Sequence, residues 1–170
     1  MIVVNSYRLE NRAVFLFVVA HESSYCPVCQ TMLMQRGTRR RVLYKSDSEK
    51  QILIIRRLHC GVCKRIHHEL PECIVPYKRY GALPIELIVT DADEKKICSD
   101  NAARRIRKWW EAVKPYFLAI LLTLTERFGV SFGMPPAFKE IVRAVANSSN
   151  WVFAHQICTR SGVMAREQAL

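Results

Sequence analysis

The pattern of apolar and polar positions divides the chain into a β-rich first half and a helical second half. Ile2-Val3-Val4 is β-branched, and Val14 to Val19 is an unbroken β-forming run, so both segments predict strands. Asn11 and Arg12 are expected in the turn before the second strand.

A basic hairpin is predicted in the middle of the first half. Residues 41–45 alternate basic and apolar side chains, as a half-exposed strand does. Residues 46–50 are polar and predict a turn, and residues 52–58 predict the returning strand. Residues 69–81 contain two prolines and are expected to form an extended connector rather than a helix.

Residues 82–113 predict a helix-turn-helix. Pro84 suits the first turn of a short helix, and residues 91–96 form a polar break longer than the usual turn of about 3–4 residues. Ser99 is the expected N-cap of an amphipathic helix over residues 100–113. One face of that helix is apolar and the other is basic: Arg104, Arg105, Arg107 and Lys108. Such a face reads a DNA groove, or it belongs to an ordinary surface helix.

Further helical segments complete the second half. Residues 114–129 predict a separate helix, begun by Pro115 and ended by Gly129, whose apolar surface implies a core helix or a dimer contact. Residues 137–147 and 151–159 predict a second helical hairpin that either packs or contacts nucleic acid. The chain is thus expected to comprise two domains, residues 1–80 and 81–170.

Four of the seven cysteines form two Cys-x-x-Cys pairs: Cys26 with Cys29, and Cys60 with Cys63. Thirty residues separate the pairs, enough for a strand hairpin. Two such turns complete a tetrahedral sulfur shell, so the spacing predicts a zinc ribbon with structural Zn²⁺. Gly61 is expected to give the second turn its backbone freedom.

Other interpretations of the cysteines remain open. One alternative is that the four are unrelated buried thiols, and the other is a redox Cys-x-x-Cys. A redox site explains only one of the two pairs, and the surrounding sequence has no βαβ pattern. His67 and His68 follow the second pair closely, but four cysteines already fill the shell, so we expect both histidines to be surface or packing residues.

The net charge of +11 indicates an anionic partner. From Arg36 to Arg79 there are twelve Lys or Arg and four Asp or Glu, an excess of 12 − 4 = +8. Tyr77 to Tyr80 interleaves aromatic and basic side chains, which suits stacking beside phosphates or packing between domains. Contacts with DNA phosphates are predicted for Arg39, Arg40, Arg41, Arg56, Arg57, Lys78 and Arg79; a solvated charged face is the alternative.

The sequence lacks several patterns that would indicate secretion, a membrane span or catalysis. Spare thiols beside a zinc site fit a reducing cytoplasm, and the start of the chain lacks the pattern of a signal peptide. The longest apolar runs fall well short of the roughly 20 residues of a membrane helix. Neither a two-metal carboxylate cluster nor a Gly-rich phosphate loop is present, so we do not expect an enzyme.

The segments Arg56 to Arg65, Leu70-Pro71 and Val75 to Tyr80 resemble the zinc ribbon at the N-termini of insertion-sequence transposases and related mobile-element proteins. They are more closely similar to an uncharacterised bacterial family in which such a ribbon precedes a helix-turn-helix. The resemblance covers roughly residues 26–110. It implies sequence-directed binding of DNA.

The overall expectation is an α+β protein in which a zinc ribbon of short antiparallel strands precedes a helix-turn-helix-like bundle. Its expected function is sequence-directed binding of double-stranded DNA, as a transposon-associated accessory or regulatory factor in the bacterial cytoplasm, located on the nucleoid when bound. A homodimer or a transposition or regulatory protein is a further possible partner, and no membrane is expected. The alternatives are a protein–protein interaction module, an RNA-binding protein and a small metal-dependent nuclease.

Overall fold

A computed structural model describes residues 1–46, 49–92 and 97–148. These residues form a six-stranded sheet and three helices, which confirms the α+β class. The strands are β1 (Ile2–Val4), β2 (Tyr7–Arg12), β3 (Phe15–Ala20), β4 (Met34–Tyr44), β5 (Lys50–His59) and β6 (Ile66–Pro71). The helices are α1 (Ala82–Val89), α2 (Asp100–Phe128) and α3 (Phe138–Asn147).

The long strand β5 organises the sheet, whose order is β1-β6-β5-β3-β2 with β4 also paired to β5. The antiparallel partner β4 follows β5 along nearly its whole length, so the predicted hairpin is confirmed. The opposite edge of β5 is shared, because β3 pairs in parallel at Leu53 and Ile54 and β6 pairs antiparallel from Arg57 to His59. The sheet therefore curls around β5.

The N-terminal strands differ from the expected turn positions. Asn11 and Arg12 lie within β2, and the turn falls one residue later, where Ala13 has a φ of 55°. The short strand β1 pairs in parallel with β6, bringing Val3 opposite Leu70. These parallel pairings go beyond a ribbon built only from antiparallel strands.

The helix α2 is continuous over 29 residues, so the prediction of a separate helix starting at Pro115 is wrong. Proline fixes φ near the helical value, but it lacks the backbone N–H that would otherwise donate to the carbonyl of residue 111. Both Pro115 and Glu111 are exposed, so that gap lies on the solvent side, while Val113 and Phe117 are fully buried and continue the apolar face. The predicted ends are confirmed: the Ser99 hydroxyl accepts from the N–H of Ala102, and Gly129 takes the left-handed conformation.

The larger hydrophobic core joins the sheet to the helices. Leu53 and Ile55 of β5 are fully buried and belong to the same cluster as Trp110, Phe117 and Val142. The ring of Trp110 lies 5.1 Å from that of Phe138, which holds α2 against α3. Side chains from both sides of residue 80 therefore share one core.

The remaining helices are placed by specific contacts. The amide of Asn147, at the end of α3, accepts from the N–H of Val3 at 2.8 Å and donates to its carbonyl at 3.0 Å. Helix α3 thereby pairs with the backbone of β1. The predicted helix over residues 151–159 lies outside the described residues. Within the described ranges, no helix has both the length and the apolar character to cross a membrane.

Candidate metal centre and basic surfaces

The two Cys-x-x-Cys turns have the same local conformation. The N–H of Gln30 donates to the carbonyl of Cys26 at 2.8 Å, and the N–H of Lys64 donates to that of Cys60 at 3.0 Å. Gln30 and Lys64 have φ values of 57° and 59°, so each turn ends in a left-handed residue directly after its second cysteine. Both turns therefore present their sulfurs in the same way.

The four sulfurs lie within 4.8 Å of one another, and Cys26, Cys29, Cys60 and Cys63 can hold a metal ion. The Cys26 and Cys63 sulfurs are 3.7 Å apart, and those of Cys29 and Cys60 are 4.0 Å apart. A tetrahedral shell with Zn–S bonds of about 2.3 Å requires sulfur–sulfur distances of about 3.8 Å. The donor set and its spacing are thus consistent with zinc.

The backbone freedom expected of Gly61 is not what the turn requires. Gly61 has no positive φ, and a Cβ added there would contact nothing within 4 Å. It occupies the position that Pro27 occupies in the first turn, where φ is fixed near −65°. The left-handed residues of the turns, Gln30 and Lys64, lie three positions later.

The thiols differ in acidity within the cluster. The Thr31 hydroxyl and the N–H of Cys63 lower the pKa of Cys60 to about 6. Partial burial and the neighbouring Cys63 thiol raise the pKa of Cys29 to about 12. Several thiolates this close repel one another unless a cation lies between them, so full ionisation of the cluster favours a bound metal.

A buried ion pair supports the metal centre from the sheet. Glu69 is fully buried and accepts from Arg56 Nε at 2.5 Å and Nη2 at 2.7 Å. Its carboxylate also accepts from the Ser24 hydroxyl at 2.6 Å, two residues before Cys26. The guanidinium of Arg56 is thus engaged inside the fold, and its predicted contact with phosphate is not the role that this geometry gives it.

Strand alternation places the other arginines predicted to contact phosphate on two opposite faces of the sheet. Arg39 and Arg41 lie opposite Ile55 and Leu53, so they share the sheet face that also carries the core. Arg57 follows Ile55 by two positions and shares that face, opposite His68 of β6. Arg40 projects from the other face, where its guanidinium lies 4.6 Å from the centre of the Phe15 ring.

Two more of the predicted DNA contacts have partners within the fold. Lys78 is buried, and its Nζ lies 4.5 Å from the centre of the Trp109 ring, tying the connector to α2. Arg107 donates to the carbonyl of Ile88 at 2.9 Å and to Asp91 at 2.7 Å, tying α2 to the end of α1. Both side chains join elements to one another.

A second basic region, the tyrosine–arginine surface, is formed by Tyr44, Arg79, Tyr80 and Arg105. The N–H of Tyr44 donates to the carbonyl of Arg79 at 2.8 Å, and the rings of Tyr44 and Tyr80 lie 5.5 Å apart. Burial raises the pKa of Tyr80, and the guanidinium of Arg105 lies close enough to oppose that rise. Arg79 and Arg105 are exposed, so the connector after β6 and the start of α2 contribute to this surface.

Comparison with known proteins gives a match to a protein family. Residues 26–109 fit a family model described as a domain of unknown function, DUF6431. The DUF6431 stretch begins at the first cysteine of the metal centre and ends at Trp109, beneath Lys78. No curated protein and no solved structure matches the chain.

Sequence reasoning missed three features of these sites: the Thr31 hydroxyl 3.3 Å from the Cys60 sulfur, the Ser24–Glu69–Arg56 network, and a cleft that includes Arg65. The alternation of Arg39 and Arg41 was a usable signal, because it placed two guanidinium groups on one strand face. The pairing of Glu69 with Arg56 left no such local signal.

Proposed function

We propose that this protein binds double-stranded DNA through the tyrosine–arginine surface and uses a structural zinc ion to hold the strands behind it. The observation that carries the proposal is the approach of Arg105 to Tyr80, the residue next to Arg79, from a helix position 25 residues further along the chain. Aromatic rings beside guanidinium groups suit a nucleic acid backbone, whose phosphates bind the charge and whose sugars pack on the rings.

The basic face of α2 extends this surface. Arg104 and Lys108 are exposed and lie one helical turn apart, and Lys108 is also one turn from Arg105. Arg56, Lys78 and Arg107 are engaged within the fold and are left out of the proposed interface. The pair α1 and α2 is the proposed helix-turn-helix, with the start of α2 as the reading element.

Zinc is the proposed metal because four thiolates at tetrahedral spacing form the usual donor set of a structural zinc site. The proposed role of the zinc is structural, since four protein ligands leave no position for substrate. The resemblance to transposase N-terminal regions supports a mobile-element setting, with a transposition or regulatory protein or a second copy of the chain as partner. A DNA-binding role of this kind belongs in the bacterial cytoplasm.

The first test is fluorescence anisotropy with zinc-loaded protein and labelled duplexes that lack terminal phosphates, across a salt series. We expect Arg105→Ala and Arg79→Ala each to weaken binding about five- to tenfold and to reduce the salt slope by about one. Arg127→Ala removes the same charge from the same helix, about 33 Å away, and is the matched control. Equal affinities for Arg105→Ala and Arg127→Ala would contradict the proposed interface.

Sequence-directed binding needs a separate experiment. Selection from a random duplex pool at near-physiological salt should enrich a motif, because side chains at the start of α2 are proposed to reach base edges. Competition with duplex RNA separates the two nucleic acids. A pool without enrichment, or preferential displacement by RNA, would argue against a sequence-directed DNA-binding protein.

A further inference from the structure

The sheet face opposite Arg40 contains a cleft of about 460 Å³, here called the arginine cleft. Its lining includes the N-terminal residue Met1 and the side chains of Arg39, Arg41, Arg65, His68 and Tyr77. Among the described residues, no acidic side chain lines it. A volume of this size accommodates a small organic ligand.

The strand register explains why positive charge accumulates there. Arg39 and Arg41 alternate along β4 on the same face as Ile55, and His68 of β6 lies on that face too. Arg65 enters from the turn that follows the second cysteine pair. The wall behind these groups is apolar, with Ile55 and Leu70 almost inaccessible to solvent, and a low-dielectric wall strengthens the field of the charges.

Unlike several other arginines of the protein, the three arginines of the cleft hold no ion pair with a described carboxylate. Arg8 and Arg12 pair with Glu10, Arg56 with Glu69, and Arg107 with Asp91. Within residues 1–46, 49–92 and 97–148, no carboxylate lies at ion-pair distance from Arg39, Arg41 or Arg65. The positive charges of the cleft are therefore not neutralised by the described part of the chain.

Arg41 is the group that most clearly lacks a partner. Its Nη2 donates to the carbonyl of Lys78 at 3.4 Å, but its Nε is buried and makes no hydrogen bond. Burial and the charge of Arg39 lower the pKa of Arg41, the direction expected of a guanidinium that lacks an anion. A buried charged donor without an acceptor is unfavourable. An anion held between Arg39 and Arg41 would offset the repulsion between their two guanidinium groups.

We propose that the arginine cleft binds a phosphomonoester, carried by a small molecule or by the 5′ end of a nucleic acid strand. Guanidinium forks match the tetrahedral oxygens and double charge of a terminal phosphate. The apolar wall leaves room for the group that carries it. This site lies on β4 and β6 and does not depend on the DNA interface proposed for α2.

The test is calorimetric titration of the zinc-loaded full chain, in phosphate-free buffer at near-physiological salt. The probes are inorganic phosphate, adenosine 5′-monophosphate, adenosine, and one single-stranded oligonucleotide with a 5′-phosphate or a 5′-hydroxyl. We expect at least one phosphorylated probe to bind with a Kd below about 1 mM and its unphosphorylated counterpart not to bind. The tightest phosphorylated probe identifies the source of the phosphate.

Variants assign the binding to the cleft. Arg41→Met and Arg39→Gln should each raise the Kd at least tenfold, whereas Arg40→Gln, the neighbour on the other strand face, should leave it within about twofold. Arg39 is exposed, so its variant remains informative if Arg41→Met fails to fold. Absence of binding by every phosphorylated probe, or equal losses in Arg39→Gln and Arg40→Gln, would overturn the proposal. Either result leaves the DNA measurement with phosphate-free duplex ends unaffected.

Discussion

At the scale of single residues, the role of a side chain could be predicted from the sequence only where the pattern that fixes it is local. The four cysteines were predicted from spacing alone, because a Cys-x-x-Cys turn fixes its own sulfurs. The role of Arg56 was not predictable, because Glu69 faces it only through the register of β5 and β6. A charged side chain in a strand pattern does not reveal which carboxylate lies across from it.

Loss of one cysteine should abolish metal binding. Cys60→Ser removes a thiolate whose pKa is lowered to about 6, and three sulfurs cannot complete a tetrahedral shell. We expect zinc content to fall from one ion per chain to near zero, and the Tm to fall by roughly 10 °C, about 3–5 kcal/mol for a chain of this size. Cys73→Ser, outside the cluster, should retain the metal; a zinc-loaded Cys60→Ser protein with unchanged melting would exclude this centre.

Neutralising Glu69 should destabilise the sheet. Glu69→Gln leaves the guanidinium of Arg56 without its anion in a site where the carboxylate is fully buried. Breaking a buried pair costs about 3–5 kcal/mol, and the partial exposure of Arg56 reduces the expected loss to about 2–3 kcal/mol. Denaturant unfolding measures it. Glu10→Gln, which breaks pairs with the more exposed Arg8 and Arg12, is the control and should barely change the midpoint.

At the scale of elements, caps and periodicity predicted the helices well, but Pro115 suggested a false boundary. Ser99 and Gly129 were identified as helix ends because capping is local chemistry. Pro115 suggested a boundary because it lacks a donor, but burial of residues on both sides of it keeps α2 whole. The strand β2 was missed because Tyr7 to Arg12 carries four polar side chains on an edge of the sheet.

Replacing Pro115 should stabilise the protein. Pro115→Ala restores one backbone hydrogen bond in the middle of an exposed helix face, where proline costs about 3 kcal/mol relative to alanine. We expect a gain of about 1–3 kcal/mol, measured by denaturant unfolding with excess zinc. Pro84 lies in the first turn of α1, where no intrahelical bond is missing, so Pro84→Ala should give no gain. A destabilised Pro115→Ala protein would contradict this expectation.

At the scale of the whole molecule, the non-local pairings were beyond reach of the sequence. The parallel pairs β1–β6 and β3–β5 join segments far apart in the chain, and nothing in their local patterns selects one partner over another. The arginine cleft depends on the first of these pairings, since β1–β6 brings Met1 beside His68. The α+β class, by contrast, follows from composition and periodicity of the two halves.

The pH dependence of folding should reflect the positive charge on the sheet face that carries the arginine cleft. Burial, together with the charges of Arg39 and Arg57, lowers the pKa of His68 from 6.5. Below that pH the unfolded chain therefore binds a proton at His68 more readily than the folded protein does. The contribution of His68 is therefore complete above about pH 6.5 and is lost as the pH falls below it.

We expect His68→Gln to reduce the loss of Tm between pH 7.5 and 5.5. Melting is measured by circular dichroism in phosphate-free buffer with excess zinc, so that a bound anion does not mask the effect. His21→Gln replaces an exposed histidine and serves as control. If the two variants lose the same Tm over this range, the acid sensitivity arises elsewhere.

The hydrogen bonds between Asn147 and Val3 join residues 144 positions apart, and they have a consequence for synthesis on the ribosome. Strand β1 is joined to two later elements: β6 starts three residues after Cys63, whereas α3 is translated only much later. Ile2 and Val4 pack in the cluster that contains Cys26 and Cys60, so they can be buried once Cys63 and β6 are available. Val3 belongs instead to the larger core, which α3 completes. We therefore expect β1 to pack against β6 and the metal centre before α3 binds its backbone.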